Sequence, residues 1–244
     1  MKYVQKDSFP LSTESNSDVF GKALQDYYQF GQSGKLWLHN NYGAPEDMPV
    51  EVFFRSEDEI SDLEECALGF CKRKILDIGA GVGVHSLILQ SYGQDVTAHE
   101  ISAAACEIMK RRGVKKVTQG DIYSGQKEYD TLLLLMNGIG LCGDMEGLNT
   151  LLLHLKSLLK MDGQIILDSS DISYLYSADD LPAKNYYGEI SYQYEYESVK
   201  GDWFKWLYVD FDLLRSSAKK HGLFCELLFE DDMDQYLARI VKIR

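Results

Sequence analysis

Hydrophobic residues recur with two different periods along the chain, and the change from one to the other marks its organisation. Phe20, Leu24, Tyr27 and Tyr28 stand at i, i+4, i+7 and i+8 and predict an amphipathic helix that begins at Ser17 or Asp18. Ser56-Glu57-Asp58-Glu59 forms a capping-box pattern ahead of Ile60, Leu63, Ala67 and Leu68, which share one face of a second helix. Between the two, over 31–49, turn-forming residues gather around Trp37, His39 and Tyr42, and the stretch reads as loop. From Lys74 onward short apolar runs alternate with helical segments: 74–78 then 85–92, 95–99 then 103–112, 114–119, 131–136 then 148–160, and 164–167. Strands that are aliphatic on both faces and alternate with helices predict a mostly parallel sheet sandwiched by helices. Gly93, Gly113 and the Asp162-Gly163 pair fall just past three of the helices, where a left-handed terminal residue is expected.

The tail departs from this alternation. Residues 171–206 form an aromatic-rich insert in which Ile190, Tyr192, Tyr194 and Tyr196 alternate with polar positions, a strand period. A helix over 211–221 ends at Gly222, and strands over 223–229 and 235–243 follow, joined by an acidic turn too short for anything but antiparallel pairing. The predicted fold is therefore α/β: a three-layer, mostly parallel sheet with an antiparallel C-terminal strand. An N-terminal helical cap is expected over 1–71 and the main domain over 72–244, with the insert before the last helix. Residues 1–17 are polar and Ser-rich and are expected to pack poorly by themselves.

Composition narrows the function. The 244 residues are 45% hydrophobic and 26% charged, an ordinary globular balance, and the net charge of −13 repels phosphate backbones, so nucleic acid is excluded as a partner. Five scattered cysteines (Cys66, Cys71, Cys106, Cys142, Cys225) without a C-x-x-C pair fit a reducing compartment, and the expected location is cytoplasmic. The N-terminus has no apolar signal core, and the longest aliphatic run, 132–135, is far too short to span a membrane.

The densest chemical signal is a strand leading into Asp77, then Gly79-Ala80-Gly81-Val82-Gly83 opening a helix. Glycines there allow close backbone approach to a ligand at the carboxyl end of a parallel strand. The dinucleotide fingerprint requires G-x-G-x-x-G or A, whereas Val84 holds the sixth position here, and Asp77 would repel a pyrophosphate. Asp77 suits a cationic ligand instead. Glu100, ending the next strand, is placed to accept hydrogen bonds from two ribose hydroxyls. Asp121 and Ile122 after the third strand offer an acceptor for an exocyclic amine and an apolar surface for a purine. Met136-Asn137-Gly138 after the fourth lines the same edge.

With this order of motifs the chain resembles the class I S-adenosylmethionine-dependent methyltransferases, whose Rossmann-like first motif, D/E-x-G-x-G-x-G, is matched by Asp77, Gly79, Gly81 and Gly83. The resemblance covers about 72–244. It implies S-adenosyl-L-methionine as cofactor. It also implies a binding set of Asp77, Gly79, Ala80, Gly81 and Gly83 around the methionyl part, Glu100 with Ile101 at the ribose, Asp121 with Ile122 at the adenine, and Asn137 on the neighbouring loop. The fourth-strand segment lacks the Asn/Asp-Pro-Pro-aromatic signature of nucleic-acid amino-methyltransferases. No metal-ligand spacing supports a metal-assisted mechanism. The expected reaction is in-line transfer of a methyl group to a small-molecule nucleophile, with no membrane partner. No residue is singled out as a general base; His39, Tyr42, His99 and the insert tyrosines are candidates. Two other readings use the same sheet, a nicotinamide-dependent oxidoreductase and a non-catalytic adenosyl-binding module. Replacing Asp77 or Glu100 by alanine is expected to weaken adenosyl binding with little loss of stability.

Overall fold

In the computed structural model, residues 18–124, 128–176, 182 and 185–243 are described; the expectation for 1–17 lies outside them. Helix α1 (Val19–Phe30) starts at Asp18, whose carboxylate accepts from the Gly21 amide, and stops at left-handed Gly31. The stretch expected as loop instead holds strands β1 (Leu36–Asn40) and β2 (Glu46–Met48). Leu36 and Leu38 point inward at a period of two, a signal masked by the amphipathic Trp37 and His39 between and after them. The capping box at Ser56 closes only a short 3₁₀ turn, because a second box, Ser61 with Glu64, starts helix α2 (Asp62–Phe70).

The alternating region follows as predicted: β3 (Lys74–Ile78), α3 (Val84–Ser91), β4 (Asp95–Glu100), α4 (Ala103–Arg112), β5 (Val117–Gln119), β6 (Tyr129–Leu134), α5 (Met145–Leu158) and β7 (Leu159–Ser170). Gly93 and Gly113 have positive φ, as expected, but Gly163 does not. Asp162 and Gly163 belong to β7 because the chain turns extended directly at Leu159. A side chain at Gly163 would press on the Tyr129 and Lys160 carbonyl oxygens, both 3.1 Å from the position of its Cβ. The insert contributes β8 (Glu189–Tyr196), β9 (Val199–Lys200) and β10 (Phe204–Leu207), and the chain ends with α6 (Phe211–Lys220), β11 (Leu223–Glu230) and β12 (Gln235–Lys242).

Two sheets result. The larger has seven strands in the order β11-β12-β7-β6-β3-β4-β5. Its β7-β6-β3-β4-β5 pairs are parallel, while β12 runs antiparallel to both β7 and β11. Side chains of β6 alternate across it: Leu132 and Leu134 pack with α5 and α6, while Leu133, and Leu135 just past the strand's end, pack with α2 and α3. The second sheet, β10-β8-β1-β2 with β9 beside β8, is antiparallel and joins the N-terminal strands to the insert. Residues before 71 are thus partly a sheet element, because β1 finds its partner in β8, with Leu38 opposite Tyr194. Among the described residues no helix is long and apolar enough to cross a membrane.

Candidate active site

A cavity of about 1460 Å³ is lined by the carboxyl ends of β3, β4, β5 and β6 and by the inner side of the second sheet. Single-ligand pockets run from about 300 to 1000 Å³, so two molecules fit side by side.

The glycine loop is held by hydrogen bonds to its neighbours. Gly79 and Ala80 amides donate to the His99 carbonyl at 2.9 and 3.1 Å, and the Gly83 amide donates to Ala80 at 2.8 Å. Arg112 donates to the Val82 carbonyl at 2.8 Å. Gly79 and Gly81 have φ of +71° and +54°. A Cβ at Gly79 would meet nothing within 4 Å and one at Gly81 only Phe53 at 4.0 Å, so both look into open space.

Asp77 is buried beneath this loop, 2% exposed, and accepts from the Ser86 hydroxyl at 2.7 Å. Burial raises its pKa, with His85 and Ser86 opposing. Glu100 is buried as well. Its Oε2 accepts from the Gly81 amide at 2.9 Å and its Oε1 from Ile101 and Ser102 amides at 2.8 and 3.0 Å. Burial pushes its pKa up, and these three amides pull it down. Ile101 stands 72% exposed beside it. Asp121 is exposed and spends Oδ1 on the Tyr123 amide at 3.0 Å, next to buried Ile122. All of these residues except Ser86 line the cavity.

Two predicted residues do not. Gly83 faces the body, where a Cβ would lie 2.9 Å from Val114 and 3.0 Å from Met109, so it serves packing between loop and α4. Asn137 turns away because its side-chain Oδ1 accepts from the Ser170 hydroxyl at 3.0 Å while its backbone N–H donates to Asp168 Oδ1 at 2.9 Å. Its left-handed backbone, φ +55°, is one that asparagine tolerates. Met136 before it is also left-handed, φ +61°, with no such excuse, and it lines the cavity. A strained residue of this kind persists where the surroundings over-determine it, as at binding sites.

Sequence reading missed a buried ionic cluster under the loop, because its members come from four separate segments. Glu64 accepts from Arg55 at 2.7 and 2.8 Å and pairs with His85 Nε2 at 2.7 Å. Burial disfavours the Glu64 charge, but His85, Arg55 and Ser61 outweigh it and hold the carboxyl far below its usual range. Asp168, 1% exposed, accepts from Asn137 and from Gln235 at 2.9 Å, yet burial raises its pKa from 3.8 to about 6.

The raised value gives a signed expectation. Between the unfolded and folded pKa the native state binds the extra proton, so this carboxyl adds stability as pH falls from about 6 toward 4. Relative to Asp168→Asn, the wild type should gain on the order of 2 kcal/mol between pH 7 and pH 4.5. Denaturant unfolding at pH 7 and pH 4.5 measures it. A pH-independent difference between the two proteins would refute the assignment.

The opposite wall is aromatic. Phe20 stacks on Tyr194 at 5.2 Å, Tyr194 meets Phe204 at 5.2 Å, and Phe204 meets Trp206 edge-on at 6.4 Å. The period-two tyrosines of the insert pointed to this wall; Phe20 could have been found only by pairing α1 with β8. Of the sequence candidates for a base, His99 and the insert tyrosines Tyr192, Tyr194 and Tyr196 line the cavity, whereas His39, Tyr42, Tyr174, Tyr176, Tyr186 and Tyr187 do not; Tyr208, just beyond the insert, lines it as well. Burial lowers the His99 pKa, favouring its neutral form.

No family model and no curated protein matches the chain. Among solved structures, a CcbJ methyltransferase from Streptomyces caelestis shares the fold at 13% identity and TM-score 0.63, over 95% of this chain and all of that one. The sugar N-methyltransferase KedS8 from a Streptoalloteichus species does so at 14% and 0.55, over 84% of this chain and 96% of that one. A Bacteroides fragilis S-adenosylmethionine-dependent methyltransferase, solved with S-adenosyl-L-homocysteine, is 36% identical with TM-score 0.89, over 95% of this chain and 97% of that one. Agreement of that depth along the whole chain, with β12 inserted antiparallel in a Rossmann-like sheet and the glycine loop at the cavity, makes this protein a member of the class I S-adenosylmethionine-dependent methyltransferase family.

Proposed function

We propose that the protein transfers a methyl group from S-adenosyl-L-methionine to a small-molecule nucleophile held against the aromatic wall. The observation that carries this reading is a single cavity with two unlike ends: glycine loop and buried carboxylates on one side, aromatic rings on the other. When bound, the cofactor supplies a methyl group already activated on a sulfonium sulfur, so the protein's tasks are orientation and exclusion of water.

The chain's residues fit that cofactor. The open Cβ directions of Gly79 and Gly81 leave a cradle for the methionyl part, flanked by Ala80 and by Asp77, which suits positive charge. Glu100 keeps one of its roughly four acceptor positions free of backbone amides, enough for a ribose hydroxyl. Ile101 and Ile122 offer apolar surface to the adenine, and Asp121 an oxygen to its amine. Gly83 and Asn137 have no part in it. A dinucleotide does not suit this site, because the Asp77 carboxylate beneath the loop would repel a pyrophosphate.

An acceptor screen tests the small-molecule part. Incubation with the methyl donor and pools of small amines, alcohols, thiols and carboxylates should yield S-adenosylhomocysteine in at least one pool. Turnover found only with protein or nucleic acid added would overturn it.

A further inference from the structure

We infer that the aromatic end of the cavity takes an organic ammonium, the protonated form of an amine whose nitrogen becomes the methyl acceptor. This rests on the methyl-transfer reading above and specifies its substrate class. Four rings, Phe20, Tyr194, Phe204 and Trp206, form an unbroken array along the wall, each within 6.4 Å of the next. The faces of such rings attract a cation and repel an anion.

The charges around them agree. Both lysines lining the cavity are already spent: Lys22 on Asp26 at 2.6 Å, and Lys205 on Asp144 at 2.9 Å. His85 is committed to Glu64. Glu197 and Asp202, which flank β9, also line the cavity, and neither forms an ion pair among the described residues. A carboxylate or phosphate acceptor would enter this space without a free counter-charge.

An ammonium must lose a proton before it can attack, and a chain of hydroxyls leads outward from this end. Tyr208 and Tyr192 both line the cavity, with their hydroxyl oxygens 3.2 Å apart. Tyr192 lies 3.5 Å from the Tyr42 hydroxyl, which donates to Glu46 Oε1 at 2.8 Å. Glu46 is exposed. The nitrogen gives its proton to the first phenol oxygen as each hydroxyl hands its own onward, and Glu46 gains one and returns it to solvent. The neutral nitrogen then forms its bond to carbon as the carbon-sulfur bond breaks. Sulfur keeps the bonding pair, and the positive charge passes to nitrogen inside the same aromatic enclosure.

Three probes of one shape test this with S-adenosylhomocysteine saturating, so that no charged sulfur is present: tert-butylammonium, tert-butanol and pivalate. Calorimetric titration should give binding of the ammonium about tenfold tighter than the alcohol, and none of the carboxylate. Phe204→Leu should weaken the ammonium by about 3- to 30-fold while leaving S-adenosylhomocysteine affinity within about twofold. Equal affinity for ammonium and alcohol, or preference for pivalate, would overturn the inference. So would equal weakening of ammonium and S-adenosylhomocysteine in Phe204→Leu, since the wall would then belong to the cofactor. Failure of S-adenosylhomocysteine itself to bind would strike at the methyl-transfer reading, and this inference with it.

Discussion

Replacing Gly81 by valine is expected to abolish binding of S-adenosylhomocysteine, with affinity falling by about a thousandfold or more. The direction of the missing Cβ decides this: it points into the cavity, with only Phe53 at 4.0 Å. The two methyls of valine would fill the space left for the methionyl chain. A cost in stability accompanies it, because a β-branched residue at φ +54° is disfavoured by about 1 to 2 kcal/mol. Two other glycines separate these effects. Gly83→Ala drives a methyl into Val114 and Met109 and should lower the thermal midpoint more than it weakens binding. Gly69 lies in α2 with nothing within 4 Å of its Cβ position, so Gly69→Ala should leave binding unchanged. Titration of the three variants checks the set, and wild-type affinity in Gly81→Val would remove the loop from the binding site.

The second large effect concerns Glu100. Glu100→Ala should weaken S-adenosylhomocysteine by about 2 to 3 kcal/mol, roughly 30- to 150-fold, through loss of a hydrogen bond to a charged acceptor. The structure changes the accompanying expectation about stability. Glu100 gathers the amides of Gly81, Ile101 and Ser102, so its removal takes the acceptor from three backbone donors, of which the one at Ser102 is on a buried residue. A loss of about 2 to 4 kcal/mol follows, or roughly 4 to 16 °C in the thermal midpoint for a chain of this size. Glu100→Gln keeps one acceptor oxygen and should fall between wild type and alanine in both measurements. Full affinity in the alanine variant would refute a ribose role.

What the sequence made legible, and what it hid, divides along local and distant causes. Each strand and helix from 74 to 170 announces itself through its own period, and β6 displays both faces of the sheet in consecutive leucines. The glycine loop, Asp77 and Glu100 were equally readable, since parallel strands must place their carboxyl ends along one edge. The second sheet was not. Leu36 and Leu38 have no meaning as a strand until β8, over 150 residues later, supplies the partner. The start of α2 was misplaced because two capping boxes stand five residues apart and the first closes only a single turn. Gly83 has the motif's spacing and Asn137 sits on the expected loop, but neither faces the cavity, because their directions depend on Val114 in one case and on Ser170 in the other. The cluster of Arg55, Glu64, His85 and Asp168 has no spacing at all, only proximity in the folded chain.

The most direct test of the account is the thermal midpoint of the purified protein with S-adenosylhomocysteine, with NAD as a parallel control. At 100 times its dissociation constant a ligand adds about 2.7 kcal/mol, which should raise the midpoint by roughly 5 to 11 °C. A rise with S-adenosylhomocysteine alone is the predicted result. A rise with NAD alone, or with neither ligand, would contradict it.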